Sequence, residues 1–242
     1  MRYCVLGPLE VRDEHRSLAL GEGRQRSVLI LLLLHRNEAV SSDRLIDALW
    51  GDAPPATAAK VLQNHISQLR RALEDREGRR LLTRGRGYLL HVEEGELDLD
   101  RFERLVDTGS GALASDRPAE AADSLREALA LWRGPPLADV AYEEFAQAEI
   151  ARLEERHLGA LEQRIDADLA LGRHADLVAE LEGLVAEHPL RERMRAQLMV
   201  ALYRCGRQAD ALETYGDARR ALLDRLGVEP GPGLRELQSA IL

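Results

Sequence analysis

Thr57 to Leu73 reads TAAKVLQNHISQLRRAL, and the meaning of this stretch decides how the rest of the chain is organised. Stepping at about 100° per residue, Ala58, Leu62, Ile66, Leu69 and Leu73 fall within a sector of roughly 80°, the buried face of a helix. Lys60, Asn64, Ser67, Gln68 and Arg71 fall within about 100° on the opposite side, with His65 and Arg70 on the flanks. The outer face therefore offers amides, a hydroxyl and cations, and no carboxylate. Such a face suits base-pair edges and the phosphates beside them. An ordinary amphipathic helix with a solvated polar face has the same wheel, so the flanking sequence has to separate the two readings.

Upstream, Ser41 or Ser42 can cap a helix from about Ser42 to Trp50, with Asp43 complementing its dipole and Leu45, Ile46, Leu49 and Trp50 on its apolar side. Gly51, Asp52, Ala53, Pro54 and Pro55 cannot continue it, and Thr57 is a suitable N-cap for the next helix. Two helices joined by a turn make a helix-turn-helix unit. Downstream, after a polar connector from Asp75 to Arg80, LLTRGRGYLLH (Leu81 to His91) reads as two strands around Gly85-Arg86-Gly87. That hairpin is a wing able to place Arg84 or Arg86 in a minor groove. The competing phosphate-loop reading lacks the Walker lysine and serine and the helix that should follow. Before these elements, Arg2 to Leu6, Leu9 to Arg12 and Leu18 to Leu20 predict a small antiparallel sheet. Arg24 to His35, RQRSVLILLLLH, is apolar enough to be a central core helix.

The 242 residues suggest two domains. Only 4% of residues are aromatic, and Leu and Ala dominate, which favours a mainly helical chain. The net charge of -9 argues against a nucleic-acid partner until it is divided. Residues 1–91 carry 15 Lys and Arg against 11 Asp and Glu (+4), while the remainder carries 18 against 31 (-13). No apolar run approaches membrane-spanning length and the N-terminus lacks a signal-peptide pattern, so a cytoplasmic protein without a membrane partner is expected. Cys4 and Cys205 have no paired spacing and read as buried, reduced thiols. The seven histidines are scattered, nucleophile and dinucleotide motifs are absent, and neither a metal site, a cofactor nor an enzyme is expected.

Acidic Glu93 to Asp100 marks a boundary, giving expected domains 1–92 and 98–242. Beyond it, DRPAEAADSLREAL (from Asp116), GRHADLVAELEGLV (from Gly172) and GRQADALETYGDAR (from Gly206) resemble one another. The last two starts lie 34 residues apart, the tetratricopeptide period, and the 56 residues between the first two leave room for an extra helix from Tyr142 to Leu169. Stacked helix pairs form protein-binding surfaces, and a plain helical core fits the pattern too. The expected fold is thus mainly α: an N-terminal winged helix-turn-helix with small β-sheets, followed by an all-α tetratricopeptide-like domain.

In element order, the first 91 residues resemble the OmpR-type winged-helix DNA-binding domain. LGPLEVR, RQRSVLILLLLHRN, SSDRLIDALWGDAPPATA, LQNHISQLRRALE and LLTRGRGYLL resemble the Streptomyces antibiotic regulatory protein family more closely. Later phrases, EALALWRGPPLADV, LVAEHPLRERMRAQLMVALYRCGRQADALETY and LGVEPGPGLRELQSAIL among them, are similar to that family's bacterial transcriptional activation domain. The resemblance implies a transcriptional activator of a secondary-metabolite gene cluster, binding direct repeats of double-stranded promoter DNA near the -35 region, at least as a homodimer on DNA. It implies base contacts from Asn64 and Gln68, phosphate contacts from Lys60, His65 and Arg70, and a minor-groove contact from Arg86. Ser67 and Arg71 on the same face are expected at phosphates too, and Arg84 beside Arg86 at the wing. Gln68 stands where many OmpR-type domains have arginine, a departure that favours adenine over guanine. The loop Gly51, Asp52, Ala53, Pro54, Pro55 corresponds to the one that faces RNA polymerase in relatives, which implies recruitment through the sigma subunit. No phosphoacceptor domain precedes the winged helix, so control by phosphorylation of one is not expected. Leu242 falls where larger members begin an ATPase module. The reading from another class is a helical-repeat protein-protein adaptor with an accessory winged-helix module.

Overall fold

Arg24–Leu34 (α1) is apolar on every side because it is covered on every side: Val28, Leu29, Ile30, Leu32 and Leu33 have no exposed surface. The computed structural model describes residues 1–13, 16–75 and 77–242; Glu14, His15 and Arg76, parts of the expected turn and connector, lie outside the described residues. One sheet holds β1 (Arg2–Cys4), β2 (Glu10–Asp13) and β3 (Arg16–Ser17), antiparallel in that order. The third strand does not lie at the expected Leu18–Leu20 but just before it, where Asp13 pairs with Arg16 and Arg12 with Ser17. A second antiparallel sheet orders β4 (Val40–Ser41), β6 (Gly87–Leu90) and β5 (Leu81–Arg84). Helices α2 (Ser42–Trp50) and α3 (Ala58–Ala72) pack on α1 and on each other, as the periodicity predicts.

The chain divides into two compact units, residues 1–104 with 128–157, and residues 105–127 with 158–242. This division differs from the one expected at residues 92–98, for a local reason. The acidic stretch is stitched to β1: Tyr3 N donates to Glu96 O at 2.7 Å, and the Asp98 carboxylate accepts from Val5 N and Leu6 N at 2.9 and 3.1 Å. Residues 128–157 close over the same edge, with Arg133 N on Leu6 O (2.8 Å), Leu137 N on Val5 O (2.9 Å) and Asp139 paired with Arg26. Trp132 stacks edge-on against Phe102 at 5.3 Å and tilted against His157 at 4.3 Å.

Glu96 gathers the N-terminal ammonium (3.0 Å), Arg80 (2.9 Å) and Glu93 N (3.0 Å). Burial draws its pKa upward, but the Glu93 amide, the N-terminus and Arg80 outweigh this and hold the carboxyl below its ordinary value. A lowered native pKa means stabilisation that is present above the unfolded carboxyl's range and lost as pH falls through the native one. Glu96→Gln should therefore destabilise the chain by about 3 kcal/mol at neutral pH, with the gap to wild type closing on acidification below about 4. Urea melts at several pH values check this, and a pH-independent gap would refute it.

Of the later helices, α4 (Asp98–Ala114), α5 (Pro118–Leu129) and α6 (Glu144–Ala170) each have residues in both units, while α7 (His174–Glu187), α8 (Glu192–Arg204), α9 (Gln208–Leu226) and α10 (Pro232–Ile241) lie wholly in the second. The three similar segments share one turn. Asp116, Gly172 and Gly206 adopt left-handed φ of 54°, 78° and 79°. The following Arg117, Arg173 and Arg207 donate their N–H to Ala112, Asp168 and Leu202 carbonyls at 2.9, 3.0 and 2.9 Å. This closes the preceding helix in the manner of a Schellman motif before the next begins. The long helix expected from Tyr142 to Leu169 is α6, and Ile165, Leu177, Leu181, Leu198, Leu202, Tyr215 and Leu234 share one core. Asp168, nearly fully buried, receives Arg126, Arg164 and Arg173, an ionic knot that sequence spacing alone does not reveal. Among the described residues no helix is long and apolar enough to cross a membrane. Both cysteines are free, but neither is fully buried: Cys4 is half-buried, and Cys205 is exposed since it sits past the end of α8 in the repeated turn.

Candidate nucleic-acid interface

Ser41 is the N-cap of α2: its Oγ accepts from Arg44 N at 3.1 Å, and Asp43 lies in the first turn. Gly51 ends the helix with φ 56°, a left-handed value that glycine adopts without strain, and residues 51–57 are all exposed. Thr57 occupies the N-cap position of α3, yet its hydroxyl makes no capping bond, contrary to expectation. Its φ of -98° and ψ of 10° depart from the extended backbone that points a capping hydroxyl at the helix amides. Pro55 O instead receives Ala58 N at 2.9 Å.

Helix α3 buries Ala58, Leu62, Ile66 and Leu69 and leaves Lys60, Asn64, Ser67, Gln68 and Arg71 exposed, so the wheel is realised residue by residue. Lys60 and Arg71 have no ion-pair partner among the described residues. Ser67 Oγ donates to Gln63 O at 2.9 Å, which leaves its oxygen lone pairs outward. His65 is half-buried, and its Nδ1 is buried without a hydrogen-bond partner among the described residues. Arg70 has a second employment: its Nε donates to Leu81 O and its terminal amino group to Thr83 Oγ1, both at 2.9 Å. It braces the helix against β5, a role invisible to a helical wheel because both acceptors lie on another element.

The wing is set from two ends. Asp75, buried just past α3, accepts from Arg79 N (2.8 Å), Arg80 N (3.1 Å) and Leu81 N (2.8 Å), so one carboxylate holds the approach to β5. Sequence reading passed over it; an aspartate directly after a helix and ahead of a strand is the signal that marks such a turn. At the tip, Arg84 pairs with Gly87, and Gly85 takes φ 56° as the first residue of a two-residue hairpin turn. Gly87 faces β4 so closely that a Cβ would collide with Val40 O, and Arg86 O accepts Ser42 N at 2.9 Å. Arg84 and Arg86 stand exposed beside this anchored backbone, without ion-pair partners among the described residues.

The histidines have local work: His35 Nδ1 sits 2.9 Å from Leu31 O and its Nε2 2.8 Å from Arg44, while His91 meets Asn37 at 3.0 Å. Among the described residues no group of three or more His, Cys, Asp or Glu is placed to hold a metal ion.

A buried core under an acid-free helix face, flanked by an arginine-tipped wing and followed by stacked helix pairs, is the arrangement of a winged-helix transcriptional regulator. Two family models divide the chain accordingly: "Transcriptional regulatory protein, C terminal" matches residues 17–90 and "Bacterial transcriptional activator domain" residues 97–242. DnrI of Streptomyces peucetius is 41% identical over 250 residues, covering 100% of this chain and 92% of that protein. AfsR of Streptomyces coelicolor is 44% identical over 243 residues, which are 100% of this chain but 24% of AfsR. The solved structure of Mycobacterium tuberculosis EmbR in complex with a low-affinity phosphopeptide superposes with a TM-score of 0.95 at 36% identity, over 99% of this chain and 64% of that one. The chain belongs to the Streptomyces antibiotic regulatory protein family, whose members are transcriptional regulators and not enzymes.

Proposed function

We propose that the protein is a sequence-specific transcriptional activator of a secondary-metabolite biosynthetic gene cluster, acting in the cytoplasm on direct repeats near the -35 region. Residues 1–92 serve as the DNA-binding module and residues 98–242 as the activation module. Asn64 and Gln68 read bases; Lys60, His65, Ser67, Arg70 and Arg71 hold phosphates; Arg84 and Arg86 enter the minor groove. The exposed loop Gly51 to Pro55 meets RNA polymerase through its sigma subunit, and at least two protomers lie head to tail on the repeats. The observation that carries this reading is the α3 face, exposed as a continuous carboxylate-free strip beside two unpaired wing arginines.

A promoter gel-shift at physiological salt against unrelated competitor DNA tests it. Preferential retention of one promoter is expected; no preference for any promoter would overturn the reading and leave a protein-binding adaptor. Gln68→Ala should cost about 1 to 3 kcal/mol on the preferred site and relax the preference at one base position. An unchanged preference would show that another residue reads that base. Lys60→Ala should weaken all sequences alike and lower the salt slope by about one unit, read from binding at several salt concentrations. Footprints over a palindrome instead of direct repeats would count against the head-to-tail arrangement.

A further inference from the structure

Helices α7, α8 and α9 border an open groove of about 500 Å³ within the second unit. Its floor contains Arg195, which is only 5% exposed. The Arg195 Nε donates to Pro189 O at 2.9 Å, and neither terminal amino group has a hydrogen-bond partner among the described residues. The Arg195 stem is buried and its terminal amino groups open onto the groove, where no carboxylate forms an ion pair with them among the described residues. The burial pushes its pKa below the ordinary arginine value, and Asp217 offsets this only in part. Elsewhere in the same unit the buried cation has carboxylates: Arg164 meets both Asp168 and Glu180. Arg195 is the exception, and it faces a cavity large enough for a ligand.

The rest of the lining narrows the ligand's chemistry. Leu198 and Leu202, both buried, and half-buried Val185 supply an apolar wall. Glu213 and Asp217 line it from α9; both are exposed, and Glu213 has no ion-pair partner among the described residues. A simple anion would satisfy Arg195 but meet repulsion from these carboxylates. A ligand carrying a carboxylate at one end and a cation at the other, with a short apolar stretch between, satisfies all three surfaces. We propose that this groove is a binding site for such an amphoteric ligand, its carboxylate on Arg195, its ammonium or guanidinium on Glu213 and Asp217, and its apolar body on Leu198 and Leu202. This chemistry occurs in free amino-acid-like metabolites and in peptide segments with an acidic and a basic side chain close together.

Calorimetric titration of the whole chain tests the site with ε-aminocaproate, with acetyl-arginyl-leucyl-glutamyl amide, and with caproate, which lacks the cation. Saturable binding of an amphoteric probe, tighter than caproate, is expected. Tighter binding of ε-aminocaproate points to a free metabolite and of the blocked peptide to a protein segment, both within the proposal. Arg195→Gln should weaken the bound probe by about ten- to a hundredfold, the scale of a lost charged hydrogen bond. Glu213→Gln, a surface change that spares the core, should weaken the amphoteric probe and leave caproate unaffected. No saturable binding of either amphoteric probe overturns the proposal, as does undiminished binding by a folded Arg195→Gln chain. If Arg195→Gln does not fold, equal affinity of wild type and Glu213→Gln for the amphoteric probe overturns it.

Discussion

Asp75→Ala is expected to lower the thermal midpoint by about 10 °C and to abolish DNA binding at temperatures where the wild type binds. The reason lies in the arithmetic of donors. Three successive backbone amides, those of Arg79, Arg80 and Leu81, are satisfied by this one carboxylate, and the last of these bonds is fully buried. Alanine leaves all three amides without an acceptor, a loss of about 3 to 5 kcal/mol for bonds to a charged group. Because the same carboxylate fixes Arg79, Arg80 and Leu81 against the end of α3, α3 and the wing lose their common frame together. Asp75→Asn, which keeps one carbonyl acceptor, should recover a large part of the loss. Calorimetric melts and gel-shifts on the three chains check both halves. An Asp75→Ala chain that melts with the wild type would mean water replaces the carboxylate at little cost.

The paired substitution Arg84→Ala with Arg86→Ala should act in the opposite way, leaving stability within about 0.5 kcal/mol while weakening DNA binding by about ten- to a hundredfold. Both side chains are exposed and free of ion pairs among the described residues, and the hairpin is held by the Gly85 turn, the Gly87 approach to β4 and the Arg86 carbonyl. Removing the two wing charges should reduce the slope of affinity against salt by about two units, equally for cognate and unrelated sequences. Loss of affinity confined to the cognate site would assign these arginines to base reading. Arg70→Ala should fall between the two cases, since Arg70 serves both as a cation beside the face and as the tie to Leu81 and Thr83.

The features legible in the sequence are those whose partners lie within a helical turn or one hairpin. The Ser41 cap and the α2 start need only their immediate neighbours, and so does the Gly85 turn. The faces of α3 follow from a period of 3.6, and the repeated turns before α5, α7 and α9 announce themselves by a turn residue followed by Arg. What stayed hidden depends on residues distant in sequence. Glu96 looks like a solvated linker acid until β1 brings the N-terminus to it, and residues 128–157 look like part of the second half until Leu6 and Arg26 are seen to hold them. Arg70 is ambiguous for the same reason: the wheel places it at the edge of the outer face, and only the position of β5 shows what it grips. Thr57 has the right residue type for a cap but the wrong backbone angles, which residue identity cannot convey.

The repeated turn bears on how the second unit acquires its structure. Each of the three closures links residues only five apart, from Ala112 to Arg117, Asp168 to Arg173 and Leu202 to Arg207, and each joins a helix to its sequence neighbour. A hairpin of helices built on such short loops brings its halves together with little loss of chain entropy, so these pairs can form early and independently. The second unit should accordingly emerge quickly from the ribosome as a series of local folding events. Residues 1–104 must wait for Arg133, Leu137 and Asp139 to be synthesised before the segment between β1 and β2, through Val5, Leu6 and Leu9, is fully bonded. Nascent chains halted before Arg133 and after Val140 would differ in protease resistance at β1, which makes the order of assembly directly observable.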